Sequence, residues 1–309
     1  MRLPERGAIA TPDSLTRLVR QAEKHGFYAV EFGDHFLRPL SIKARYPDSE
    51  TGVPPVWHDW LEQLTTLSFL AAKTTKLRLV AGVMVLPYRN PLISAKMMTT
   101  IDVLSKGRII CGVGSGWLKE EFDALGAPPF HERGDVSDEY IKAFKELWSN
   151  EIPEFHGNYF SVSGVRLLPK PVQKPHPPIW VGGETPRAMK RAAFLGDCWY
   201  PICTNPRYPL LTFNQIQAAM TQLSDYASEA GKGRVEVALE VQHSKFDGRS
   251  DASSPLFVGA PEKVANDIKQ CERLGICYIG FDLRTQEFDG TLANYAEFAE
   301  SVMPKLNNR

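Results

Sequence analysis

The chain has 309 residues, 43% of them hydrophobic and 23% charged, with 36 basic and 36 acidic side chains. That suits one large globular α/β domain or two small ones, and zero formal net charge removes the electrostatic case for nucleic acid or an anionic membrane as partner. Five cysteines (Cys111, Cys198, Cys203, Cys271 and Cys277) show no CxxC spacing and read as reduced, buried packing residues. No apolar run reaches the ~20 residues of a membrane helix. Pro4 and Glu5 stand where a signal peptide would be apolar, so a cytoplasmic protein is expected.

Leu3 and its neighbours read as the end of a first strand, with Met1–Pro4 all that precedes the next helix start. Either the true start lies upstream or the wall is weak there. Thr11-Pro12 opens a helix to His25 with Leu15, Leu18, Val19 and Ala22 on one face. Phe27–Phe32 is a strand that ends in Gly33-Asp34-His35. Residues 36–56 form a long loop, a candidate lid. A helix from Trp57 to Lys73 follows.

Leu77–Val85 is a near-continuous apolar run, as expected of a strand buried on both faces. Pro91 starts a helix, Ile93, Met97, Ile101 and Leu104 recur on one face, and Gly107 ends it. Arg108–Val113 is the next strand, so this stretch is one βαβ unit. Residues 118–124 and 135–148 read as helices. Residues 149–178 break the rhythm, with HGNYF, a hairpin over VSGVRLLP and an extended KPVQKPHPP. They read as an insertion within a single domain spanning 1–309. Strands follow at 178–181, 197–200, 235–241 and 278–281, alternating with helices at 185–195, 210–230, 261–274 and 291–303. Residues 242–257 are a second candidate lid. About eight strands, each followed by a helix, predict a (β/α)8 TIM barrel.

Candidate functional residues lie at the C-terminal ends of the strands, where such barrels keep their chemistry. His35 could give or take a proton, with Asp34 to orient it, against the alternative of a turn aspartate and a packed histidine. Gly82-Val83 interrupts a buried strand as a bulge, a non-proline cis peptide or a steric gap. Gly112-Val-Gly114-Ser115-Gly116 fails the GxGxxG dinucleotide spacing and reads either as turn chemistry or as a loop approaching a cofactor. Gly182-Gly183 precedes a Thr185-Pro186 helix start, where backbone N–H groups can take a phosphate, although many such loops bind nothing. The seven histidines show no metal-ligand spacing, and no GxSxG stands out.

Taken together, EFGDHF, LRLVAGVMVLPYRNP, DVLSKGRIICGVGSGWLKEEFDALG, FHERG, KPVQKPHPPIWVGG and LGDCWYP resemble the bacterial luciferase-like family of flavin- or deazaflavin-dependent oxidoreductases, in family order over nearly the whole chain. The resemblance is greatest to the branch assigned to deazaflavin coenzyme F-420. It implies a TIM barrel with the cofactor ring at the strand C-termini, Gly82-Val83 as a cis peptide behind the ring, Asp34 near the ring and His35 as acid/base. It also implies that Gly112, Gly114, Ser115 and Gly116 line the cofactor and that Gly182 and Gly183 hold its phosphate. Arg133 matches a family position without an implied role. The cofactor would be F-420, preferred, or FMN. The first gives hydride transfer to or from a small organic substrate; the second gives oxygen insertion with a separate flavin reductase as partner. A homodimer is implied. A barrel that binds a ligand without catalysis is the remaining alternative.

Overall fold

The protein's structure is a computed structural model that describes residues 1–47, 49–52, 59–242, 244 and 255–306. The expected lids at 36–56 and 242–257, and the expected helix start at Trp57, fall partly outside the described residues.

The strands are β1 (Ala29–Phe32), β2 (Arg78–Ala81), β3 (Met84–Val85), β4 (Ile109–Gly114), β5 (Phe155–His156), β6 (Ser161–Val162), β7 (Ile179–Gly182), β8 (Cys198–Tyr200), β9 (Glu236–Val241) and β10 (Tyr278–Phe281). The helices are α1 (Pro12–Lys24), α2 (Gln63–Ala71), α3 (Pro91–Leu104), α4 (Lys119–Leu125), α5 (Arg133–Ser149), α6 (Pro186–Leu195), α7 (Phe213–Glu229), α8 (Pro261–Leu274) and α9 (Phe288–Glu297). Strand order is β1-β2-β4-β7-β8-β9-β10, with β3 beside β4, and all of these pairs are parallel. Met1–Leu3 completes the ring between β10 and β1. Leu3 N donates to Glu31 O at 3.0 Å and Arg2 N to Phe281 O at 3.2 Å. The result is the expected TIM barrel.

The strands run without polar alternation because both faces are covered. Ala29, Val80, Ile110, Trp180, Cys198, Tyr200 and Ala238 fill the interior. Leu79, Ile109, Val113, Val181 and Leu239 face the helices in the main core. Helix starts follow local chemistry. The Thr11 side chain accepts from Ser14 N, Asn90 from Leu92 N and Thr185 from Ala188 N, each followed by a proline whose missing N–H costs nothing there.

Three expectations are corrected. On α3, Ile93 and Leu104 are exposed while Ser94, Ala95, Met98, Thr99, Ile101 and Asp102 are buried. The inward face mixes the apolar Ala95, Met98 and Ile101 with small and polar side chains satisfied in place: Asp102 accepts from Val172 N at 2.6 Å and Gln173 N at 3.0 Å. The hairpin lies at β5–β6, around HGNYF and ahead of most of VSGVRLLP. There Glu139 accepts from the backbone N–H groups of Asn158, Tyr159 and Phe160 and fixes the turn. Cys277 is exposed; the other four cysteines are buried. Among the described residues, no helix is long and apolar enough to cross a membrane.

Candidate active site

A cavity of about 640 Å³ opens at the C-terminal ends of the strands, within the range of small-molecule sites. It is lined by strand-end residues from β1 (Asp34, His35), β2 (Gly82, Val83), β4 (Ser115, Gly116) and β7 (Gly183). A second cavity of about 770 Å³ lies at the opposite end, below Met1, between Tyr28 and Tyr278. It is the larger, yet it holds none of the strand-end residues, and in this architecture chemistry belongs to the C-terminal face.

His35 is held from behind. Its Nδ1 lies 2.7 Å from Oε2 of Glu121 on α4. The same carboxylate accepts from Phe36 N at 2.6 Å, Leu37 N at 3.3 Å and the Tyr88 hydroxyl at 2.9 Å. Burial, reinforced by the Glu121 charge, pushes the Tyr88 phenol far up, so it stays a neutral donor. With acceptor oxygens facing it, Nδ1 carries the hydrogen, and the proton-accepting lone pair of neutral His35 is on Nε2. Trp60 and Trp117 meet the imidazole edge-on, with ring centres 4.7 and 6.2 Å away.

Asp34 is turned into the wall. Its carboxylate takes a bidentate pair from Arg89 at 2.6 and 2.7 Å and a bond from Val85 N at 2.8 Å. Burial opposes the charge of Arg89, but Asp34 and Glu62 outweigh it and raise its pKa. Asp34 thus ties β1 to the segment after Gly82-Val83, which is a non-proline cis peptide.

The glycines exist largely for Val83 and Val85. A Cβ on Gly114 would lie 2.6 Å from a Val83 methyl, one on Gly182 3.0 Å from the other, and one on Gly116 2.7 Å from Val85. Gly112 lies against Ala81 O, which a Cβ would meet at 2.0 Å. These glycines let the Val83 side chain stand at the cavity floor. Gly116 and Gly183 also have φ of +79° and +106°.

Beyond Gly183 the cavity reaches the start of α6, Arg133 and Arg191, with Arg187 beside them outside its lining. Arg191 bonds Asp138 and Gly134 O, and Arg187 bonds Asp135. Among the described residues, Arg133 has no carboxylate within ion-pair distance; its guanidinium bonds Gly116 O at 3.1 Å and Phe130 O at 3.0 Å. Ser115 Oγ is buried in the wall and has no hydrogen-bond partner among the described residues. An orphaned hydroxyl, a glycine cradle at a helix start and an uncommitted cation suit a flat, phosphate-bearing ligand. Among the described residues, no group of histidines, cysteines and acids could hold a metal ion.

Sequence reasoning missed Glu121, Tyr88 and Arg89. A buried acid inside WLKEEF carries no local signal that distinguishes it from an exposed helical glutamate.

Residues 2–256 match the luciferase-like monooxygenase family, and the chain belongs to it, as an oxidoreductase. The FMNH2-dependent dimethylsulfone monooxygenase of Pseudomonas putida is 36% identical over 182 residues, covering 58% of this chain. The chain spans about half the length of that relative, 47%. An uncharacterised protein of Mycobacterium tuberculosis is 30% identical over 299 residues, 94% of each chain. Two solved structures share the fold. Monooxygenase RslO1 from Streptomyces bottropensis has a TM-score of 0.76 at 23% identity, over 98% of both chains. An F420-dependent secondary alcohol dehydrogenase has a TM-score of 0.73 at 19% identity, over 97% and 96%.

Proposed function

We propose that this protein is a deazaflavin (coenzyme F-420)-dependent oxidoreductase that moves a hydride to or from a small organic substrate. When bound, the deazaflavin supplies hydride chemistry at its ring carbon. Val83, Ser115 and Gly116 would form the floor and wall against its ring, and Gly183, Thr185 and Arg133 would take its phosphate. Trp60, Trp117 and Tyr46 keep water from the reacting face. His35 exchanges the accompanying proton with substrate oxygen through Nε2, and Glu121 holds the imidazole in the tautomer this requires.

The observation that carries the reading is the His35–Glu121 pair at the mouth of a cavity whose far end offers a phosphate cradle. A titration against oxidised and reduced F-420 and FMN, followed by ring fluorescence, tests it. Tight deazaflavin binding is expected, together with a His35→Ala variant that binds the ring normally and loses turnover. A preference for reduced FMN refutes the cofactor assignment.

The second reading is a two-component FMNH2-dependent monooxygenase fed by a flavin reductase. The identity to the Pseudomonas putida enzyme favours it, and substrate-dependent oxygen uptake would establish it. A homodimer belongs to both readings and is checked by light scattering.

A further inference from the structure

The cavity holds five arginines: Arg2, Arg6, Arg133, Arg191 and Arg284. Three are committed. Arg2 pairs with Glu5 and Glu240, Arg284 with Glu5 and Asp282, and Arg191 with Asp138. Arg133 stands at the cradle assigned above to a phosphate. Arg6 is different. Among the described residues its guanidinium has no ion pair and no side-chain hydrogen bond; it lies over the Trp60 ring, 5.0 Å from the centroid. The neighbouring carboxylate of Glu5 is turned to Arg2 and Arg284. Arg6 is half-buried and lines the cavity, so an anion there would meet its donors with reduced competition from water.

The position matters as much as the charge. Trp60 contacts Arg6 through one ring contact and His35 through another, at 4.7 Å. The guanidinium and the imidazole therefore flank the same indole. Tyr46 packs on Trp117, with ring centres 5.1 Å apart, and both line the cavity. A molecule reaching from Arg6 to His35 lies along aromatic surface.

We infer that Arg6 is the recognition site for an anionic group on the substrate, which is an organic carboxylate or sulfonate with an apolar body whose reacting carbon lies at His35. The inference rests on the proposed oxidoreductase reading of this cavity. It gives the cavity two anion sites, Arg133 for the cofactor's phosphate and Arg6 for the substrate. The guanidinium fork matches a carboxylate or sulfonate bidentately, which an ammonium does not.

The test uses the full chain with and without bound deazaflavin, and benzoate, benzenesulfonate and octanoate as probes, with benzamide as neutral control. Binding is followed by tryptophan fluorescence, which Trp60 and Trp117 would report, and ring binding is titrated on the same samples. At least one anionic probe should bind, benzamide should not, and Arg6→Gln should weaken the probe about 10-fold or more while ring affinity is unchanged. Arg6→Lys should recover only part of the loss. A thermal melt confirms that both variants are folded. The inference is overturned if no anionic probe binds, if Arg6→Gln leaves binding intact, or if Arg133→Gln and not Arg6→Gln abolishes it. Failure of deazaflavin binding in the wild type would instead overturn the deazaflavin reading of this cavity.

Discussion

Replacing Glu121 by glutamine should change which nitrogen of His35 carries the hydrogen. Glu121 is wholly buried and accepts four bonds, from His35, Phe36 N, Leu37 N and Tyr88. Alanine is the wrong probe, because buried donors left without an acceptor cost about 1–3 kcal/mol each and the local fold would suffer. Glutamine keeps the volume and one acceptor oxygen. If that oxygen stays on Phe36 N and Leu37 N, the amide NH2 faces His35 Nδ1, which must then become an acceptor. A hydrogen bond to a charged acceptor contributes about 1.5–3 kcal/mol, so the carboxylate biases the tautomer by roughly 10- to 150-fold. At about pH 9, where an ordinary imidazole is neutral, nitrogen-15 NMR of the side chain distinguishes the two forms. The wild type should show one histidine in the Nδ1–H form, assigned by its loss in His35→Asn, and Glu121→Gln should shift it toward Nε2–H. Turnover should fall roughly 100-fold or more with ring affinity unchanged. An unchanged tautomer in a folded Glu121→Gln protein would refute the reasoning.

Three further outcomes follow from the same geometry. Gly114→Ala places a methyl 2.6 Å from Val83 Cγ2 and should cost about 1–3 kcal/mol in urea unfolding. Val83→Ala should rescue most of it, and purely additive costs would show that the two residues do not clash. Asp34→Asn weakens a buried bidentate pair with Arg89 and should cost about 3 kcal/mol. Unchanged stability with abolished turnover would instead place Asp34 in the chemistry. Glu31, inside the barrel, has its pKa raised from 4.5 to about 7, first by burial and then by the Glu240 charge, against Met1 and Arg2. The folded protein therefore keeps a proton that the unfolded chain has lost. This contribution is fully present below the unfolded value and falls away as pH rises toward 7, by on the order of 3 kcal/mol. The difference in stability between wild type and Glu31→Gln, measured from pH 4.5 to 7, should show that slope; parallel curves would contradict it.

The barrel was legible because its signals are local. Pro12, Pro91, Pro186 and Pro261 each stand at a helix start, and the apolar runs between them match the strands. The inward face of α3 was not legible, because Asp102 finds its partners at Val172 and Gln173, 70 and 71 positions away. Burial there is earned by long-range bonds that no helical period reveals. Glycine told half its story: Gly112 and Gly114 read as turn chemistry or an approach to a cofactor and Gly182 as part of a phosphate loop, but nothing local says that what packs against them is Ala81 and Val83.

The candidate site divides along the same line. His35 could be picked out by its place after a strand, a local fact. Its partner Glu121 is 86 positions away, and an acid in a helix reads as a solvated face. Charge shows the limit most clearly. A chain with 36 residues of each sign offers no steering field, and its neutrality argues only against large polyanions. Inside the cavity the balance is kept pair by pair, Arg2 with Glu240, Arg284 with Asp282, Arg191 with Asp138. What matters for a small ligand is which guanidiniums those pairs omit. Among the described residues these pairs omit Arg6 and Arg133, one across the Trp60 indole from His35 and one bonded to Gly116 O. A neutral protein can thus offer one guanidinium to a cofactor and another to a substrate, and it is the local pairing, not the net charge, that decides which anions the cavity would accept.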